Sequence, residues 1–357
     1  MTIPARLHFC WIGTSLPWAY GFALLSAAQH SGMAEITLHH TDPLDDGTVL
    51  RALQATPGLR LSRTDPLACL ARAGHALGLG DALARLYAGL DAPVMRADVL
   101  RAAILFLHGG IYLDLDTVTL APLSPLTHAR QFVGCERVVW PQAVRRSRSP
   151  LVLARPLALD LLRKALRRAP GGWRAFRGVE GLYFRTVNNA AMGAEAGSEL
   201  PARLLRAMAA LPPDRLTQRT ALGPALLQDL LARHGTDGLT LHEPRVFSPL
   251  PPEISEHWFR RARRVRLGEA LSPDTRVVHW YASVRTRALV AAITPEYVLA
   301  HRDRQLYSAL VASCVPNLAA LCGADSKAGL GPDPPGGSPL DRLYSSIGFQ
   351  RPAFGGV

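Results

Sequence analysis

Residues 96–120 read RADVLRAAILFLHGGIYLDLDTVTL, and this stretch decides how the chain is understood. It opens with an apolar helical pattern, turns at Gly109 and Gly110, and continues as an apolar strand ending in two carboxylates, Asp114 and Asp116. Paired glycines suit a helix stop and a chain reversal. From Asp98 to His108 a helix rises ~15 Å at about 1.5 Å per residue. From Gly110 to Asp114 a strand runs back ~13 Å at about 3.3 Å per residue. The two aspartates are therefore expected to return to the level of Asp98. Arg101 lies three residues after Asp98 and shares its helix face. Three carboxylates and a guanidinium are expected to converge near a helix N-terminus, an end that favours anions.

Carboxylates are rarely buried without a partner. Beside a bound phosphate they repel it unless a cation intervenes, and Mg²⁺ or Mn²⁺ suits one or two carboxylates plus phosphate oxygens. Such an ion can stabilise a departing diphosphate. The blander reading pairs both aspartates with surface arginines. A rival enzyme class is a haloacid-dehalogenase-type phosphatase, with Asp114 of YLDLDTV as nucleophile and Asp116 as acid/base. That class normally places the motif on its first strand and adds a downstream acidic pair, and this sequence does neither.

Outward from this stretch, strands and helices alternate. RLHFCWI, EITLHH and GIYLDL read as strands, and YGFALLSAAQHS, ALARLYAGL and VMRADVLRAAILFLH as helices. The alternation predicts an α/β sheet with ligands at strand ends. A strand follows near QFVGCERVVW, then a basic amphipathic helix, ALDLLRKALRR. TVNNAAMGAEAGSELPARLLRAMAAL is expected to be a loop and a helix, GPALLQDLLARHG a helix starting at Gly223-Pro224, and TRVVHWYAS a late strand. Residues 286–322 read as a helical extension. The Gly-, Pro- and Ser-rich residues 323–357 read as a disordered tail.

The chain has 357 residues, 48% of them hydrophobic, and a formal charge of +12 carried almost wholly by arginine. Only Lys164 and Lys327 are lysines. A basic balance draws anionic substrates or an anionic membrane surface. A basic, non-enzymatic binding protein is the other alternative, but no helix-turn-helix, zinc or aromatic–basic signature marks a nucleic-acid binder. The five cysteines are scattered and in no metal-ligand spacing. They argue for a reducing, cytoplasmic setting, peripheral at most on the inner membrane face. Residues 7–34 lack Asp, Glu, Lys and Arg, but Gly13, Pro17 and Gly21 interrupt the run, so strand, loop and buried helix is the expectation.

The central stretch resembles the hallmark of the DXD-motif sugar-binding-region glycosyltransferases. These include fungal initiating mannosyltransferases, α1,4-galactosyltransferases, bacterial capsule transferases and, more remotely, the clostridial glucosylating toxins. IPARLHFCWIG, TVNNAAMGA, ALGPALLQDLL, EPRVFSPLPP and VVHWYASV resemble further segments of that family in order, over roughly residues 3–285. The resemblance implies a GT-A-type, Rossmann-like mixed sheet flanked by helices over residues 1–285, followed by the C-terminal helical extension. It also implies a UDP- or GDP-sugar donor, a glycan, lipid-linked or other acceptor, Mn²⁺ or Mg²⁺, and retention of configuration. By this resemblance Trp11 stacks on the donor base, and Asp98 and Arg101 hold sugar or ribose and phosphate. Asp114 touches ribose, sugar and the ion region, and Asp116 binds the metal. Asn188 or Asn189 faces the sugar or acceptor. His279, with Trp280 beside it, lies by the diphosphate or metal. Many relatives place a Ser-Trp pair after this histidine, whereas here Ser283 precedes Val284.

Overall fold

The computed structural model describes residues 2–218, 220–284 and 286–322. The predicted tail therefore lies outside the described residues. The framework is a seven-stranded mixed sheet built from β1 (Arg6–Trp11), β2 (Glu35–His40), β3 (Leu59–Arg63), β4 (Gly110–Leu113), β6 (Gln131–Val138), β7 (Phe184–Ala194) and β8 (Thr240–His242). Its order is β3-β2-β1-β4-β7-β6-β8. The first four strands in that order run parallel, and β7 runs antiparallel to both β4 and β6. Two short strands, β5 (Thr117–Thr119) and β9 (Val277–His279), form a separate antiparallel ribbon. The expected mixed α/β sheet flanked by helices is thus present.

The helices α1 (Trp18–His30), α2 (Thr48–Gln54), α3 (Pro66–Ala76), α4 (Ala82–Ala88) and α5 (Pro93–His108) supply the connections in the first third of the chain. Alternation along β1 sets the two faces. Leu7 and Phe9 join the cluster that includes Phe22 and Leu24 of α1, while Cys10 joins the cluster holding Val99 and Ala103 of α5. Helix α5 begins with Pro93 at its first position, where a missing N–H costs nothing. It stops at Gly109, whose φ is +63°, and Gly110 follows at +105°. A Cβ on Gly109 would stand 2.7 Å from the Ala196 amide nitrogen, and one on Gly110 2.7 Å from the Arg6 carbonyl oxygen. The predicted stop and reversal are therefore real and admit only glycine.

The chain leaves β1 for β2 on one side and reaches β4 on the other. In open α/β sheets such a change of direction is where ligands bind, here beyond the carboxyl ends of β1 and β4. Trp11 ends β1, and Asp114 immediately follows β4. The segment predicted as a loop at TVNN is instead part of the eleven-residue strand β7. Asn188 and Asn189 sit in mid-strand, where the distant carboxylates of Glu136 and Asp98 accept from their amides. After β9, the helix Leu306–Cys314 packs into the same core, with Tyr307 stacked on Phe259 at 4.6 Å. No helix among the described residues is long and apolar enough to cross a membrane.

Candidate functional site

The predicted convergence of Asp98, Arg101 and Asp114 is present. Arg101 Nη2 lies 2.9 Å from Asp114 Oδ1 and 3.3 Å from Asp98 Oδ1, and Arg101 Nη1 donates to the Asn189 carbonyl at 2.5 Å. Its guanidinium also covers the Tyr112 ring at 4.7 Å. Asn189 Nδ2 donates to Asp98 Oδ1 at 2.8 Å, so Asp98 is held from two sides. Asp98 lies five residues into α5, so the helix terminus itself is not what gathers these groups. A planar fork can serve several acceptors at once, which suits Arg at this buried junction. Burial works against the Arg101 charge, but Asp114 and Asp98 more than offset it and hold the guanidinium protonated.

The aspartates differ in their surroundings. The Asp114 side chain is 25% exposed, and Asp116 is 15% exposed. Burial raises the Asp114 carboxyl despite Arg101, and the neighbouring Asp116 charge raises it further. Burial also acts to raise Asp116, but His279 and the Ala282 N–H outweigh it and hold this carboxyl below its usual range. Asp116 Oδ1 is 3.1 Å from His279 Nε2, and Asp116 Oδ2 accepts from Ala282 N at 2.8 Å. His279 is placed by the ribbon, where it pairs with Thr117. Burial alone would lower its pKa, yet the carboxylates around it, Asp116 foremost, raise it. Asp114, Asp116 and His279 each offer a ligand atom, and the three atoms lie within 4.8 Å of one another.

The remaining expected residues sit around this cluster. Half-buried Trp11 packs on Tyr20 at 5.1 Å, and Tyr20 stacks on Trp280 at 6.3 Å. Trp280 is wholly buried, with Phe259 and Tyr307 on its other sides. Asn188 faces inward, and its amide donates to Glu136 Oε2 at 2.6 Å.

Three residues of the site were not read from the sequence. Glu136, only 7% exposed, also accepts from the Tyr281 hydroxyl at 2.9 Å, and the Ser248 Oγ lies 2.9 Å from the Tyr281 hydroxyl oxygen. Burial raises the Glu136 carboxyl above its usual range. Tyr281 has a φ of +59° and lays its ring 3.9 Å from that of His279. Such a backbone is strained for a bulky residue. The bonds from Thr286 Oγ1 to the Tyr281 and Ala282 carbonyls, at 2.9 and 3.1 Å, hold the turn. A lone glutamate in the apolar run QFVGCERVV was the one signal available for Glu136.

No curated protein matches the chain. Among solved structures, PaToxG glycosyltransferase is similar at 15% identity and a TM-score of 0.40, with 66% of this chain and 72% of that chain covered. Mouse xyloside xylosyltransferase 1 is similar at 12% identity and 0.38, covering 68% and 86%. The galactosyltransferase LgtC, in complex with donor and acceptor sugar analogues, is similar at 12% identity and 0.36, covering 81% and 96%. The family described as glycosyltransferase sugar-binding region containing DXD motif matches residues 78–133, from before α4 to within β6. Both aspartates, Asp98 and Arg101 fall inside that match, so residues 78–133 are similar to the DXD-containing sugar-binding region of that family.

Proposed function

We propose that the chain is a metal-dependent, retaining glycosyltransferase that moves a hexose or N-acetylhexosamine from a UDP- or GDP-sugar to an acceptor, such as a surface glycan. The observation that carries this reading is the Asp114–Asp116–His279 cluster beyond the carboxyl end of β4. Two carboxylate oxygens and one imidazole nitrogen make a donor set that fits a divalent ion. The oxygens alone would suit Mg²⁺, and the imidazole tilts the preference towards Mn²⁺. His279 Nδ1 is buried with no hydrogen-bond partner among the described residues. When bound, the ion would neutralise the diphosphate leaving group as a Lewis acid.

The chain's own residues supply the rest. Arg101 fixes the Asp114 carboxylate and keeps Asp98 from repelling it. Asp98, braced by Asn189, is left to hold the sugar or ribose side of the donor. Trp11, at the outer end of an aromatic row, offers a face to the base, and Trp280 fixes that row from within. Glu136 orients Asn188 and Tyr281, and through Tyr281 the His279 ring. A panel of UDP-glucose, UDP-galactose, UDP-N-acetylglucosamine and GDP-mannose with Mn²⁺ tests the reading, with nucleotide release as readout. At least one donor should be turned over, with the activity lost in EDTA and p-nitrophenyl phosphate untouched. Phosphatase activity with phosphate trapped on Asp114 would replace the reading.

A further inference from the structure

The inner sheet of an α/β protein normally reads as near-continuous apolar strands because helices cover both faces. Here one face of β1–β3 is apolar as expected, with Leu7, Phe9, Ile36 and Leu38 in the core. The other face carries Arg6 and His8 on β1, Thr37 and His39 on β2, and Arg60 and Ser62 on β3. The cross-strand register confirms the alignment, with His8 opposite Thr37 and Thr37 opposite Arg60. Instead of closing over this face, α3 and the end of α5 stand back and leave a cavity of about 500 Å³. It shares no lining residue with the Asp114–Asp116–His279 cluster.

The floor is a fixed hydrogen-bond chain. His8 Nε2 is 2.9 Å from the Gly109 carbonyl oxygen, His8 Nδ1 is 3.1 Å from His39 Nε2, and His39 Nδ1 is 3.2 Å from Thr64 Oγ1. A carbonyl only accepts, so His8 carries its proton on Nε2. His8 Nδ1 then accepts from His39, and His39 Nδ1 from the Thr64 hydroxyl. Both rings are neutral and their N–H groups are committed. Burial agrees with this, lowering His8 to about 4 and His39 to about 3.

Recognition therefore falls to the walls. Arg6, Arg60, Arg63 and Arg72 face two carboxylates, Glu35 and Asp65, across the same cavity. Glu35 is shared by Arg6 at 3.2 Å and Arg60 at 3.7 Å. Arg63 and Arg72 have no ion-pair partner among the described residues. Guanidinium forks over a neutral, polar floor suit the oxygens of a phosphate group better than any apolar or cationic ligand.

We propose that this cavity is a second binding site, separate from the donor site, for a di- or polyanionic phosphate-bearing ligand. The test is calorimetric titration of inorganic pyrophosphate into the full chain in EDTA, which keeps divalent ions away from Asp114 and Asp116. Pyrophosphate should bind the wild type and the Asp116→Asn variant alike. The surface double variant Arg63→Ser/Arg72→Ser should lose about tenfold or more in affinity, having lost two charge-assisted contacts. Its nucleotide-sugar turnover should be unchanged. Absence of binding to wild type, or equal affinity in the double variant, overturns the proposal. Phosphatidylcholine vesicles with and without phosphatidic acid then separate two sources. Retention on the acidic vesicles that pyrophosphate competes and the double variant loses identifies a lipid headgroup. Pyrophosphate binding without retention identifies a soluble anion.

Discussion

Arg101 is the most heavily committed side chain of the site, and replacing it gives a graded outcome. Its side chain is 5% exposed, and its fork meets Asp114 at 2.9 Å, Asp98 at 3.3 Å and the Asn189 carbonyl at 2.5 Å. Arg101→Lys keeps the charge but offers one compact ammonium, which cannot span acceptors on three separate elements. It should lose about two hydrogen bonds involving charged partners, and with some relaxation about 2–3 kcal/mol of stability. Arg101→Met removes the charge as well and leaves Asp98 and Asp114 facing each other across a buried gap. Breaking a buried ion pair by deleting one partner costs about 3–5 kcal/mol. Urea denaturation should therefore rank wild type above Lys above Met. Donor turnover should fall further than stability does, because Asp114 loses its orientation. A Met variant as stable as wild type, or a Lys variant of full stability and activity, would refute the claim that Arg101 holds these carboxylates in register.

Asp116→Asn should keep the fold and lose donor turnover by several orders of magnitude, about tenfold for each 1.36 kcal/mol of charge stabilisation lost; a turnover assay with Mn²⁺ decides it. In Gly223→Ala the new Cβ would stand 2.7 Å from Asp98 Oδ2 and 3.1 Å from Asn189 Nδ2. Those groups are pinned, so the variant should lose about 1–3 kcal/mol in denaturation and show a raised donor KM. His257, 2% exposed, has its pKa lowered to about 4 by burial and by Arg260, despite donating to the Leu166 carbonyl. The unfolded chain binds that proton below the unperturbed value near 6.5, so stability present above about 6.5 is lost as pH falls towards about 4, by up to about 3 kcal/mol. His257→Gln should flatten stability against pH in that window, and an unchanged slope would remove His257 as its source.

The helix–glycine–strand passage was legible because its geometry is local: two glycines and two rises per residue placed Asp98, Arg101 and Asp114 together. Asp116 was legible as a carboxylate of the site, but its pairing with His279 was implied only by resemblance, since it depends on a ribbon joining distant segments. Asn188-Asn189 looked like a loop because two amides in a row rarely find partners within a strand. Here Glu136 and Asp98, from separate elements, supply them. The strand β3, LRLSR, was missed because it is a short edge strand with only Leu59 and Leu61 facing the core and exposed arginines at positions 60 and 63. The same alternation, in RLHFC and EITLHH, was visible as a pattern of strands. That their polar residues would line an open cavity was not, because nothing local says how far a helix stands from a sheet.

The β5–β9 ribbon also has a consequence in time. Thr119 pairs with Val277 and Thr117 with His279, so the segment carrying the two aspartates is completed by residues about 160 positions later in the chain. At translation rates of roughly 5–20 residues per second, the aspartates wait on the order of ten to thirty seconds for His279 to be synthesised. A nascent chain long enough to have formed β1–β4 already carries the DXD motif but lacks its histidine and the Ala282 amide. On the proposed function, donor chemistry would wait for the completed chain, and a stalled ribosome would expose an acidic turn without its histidine.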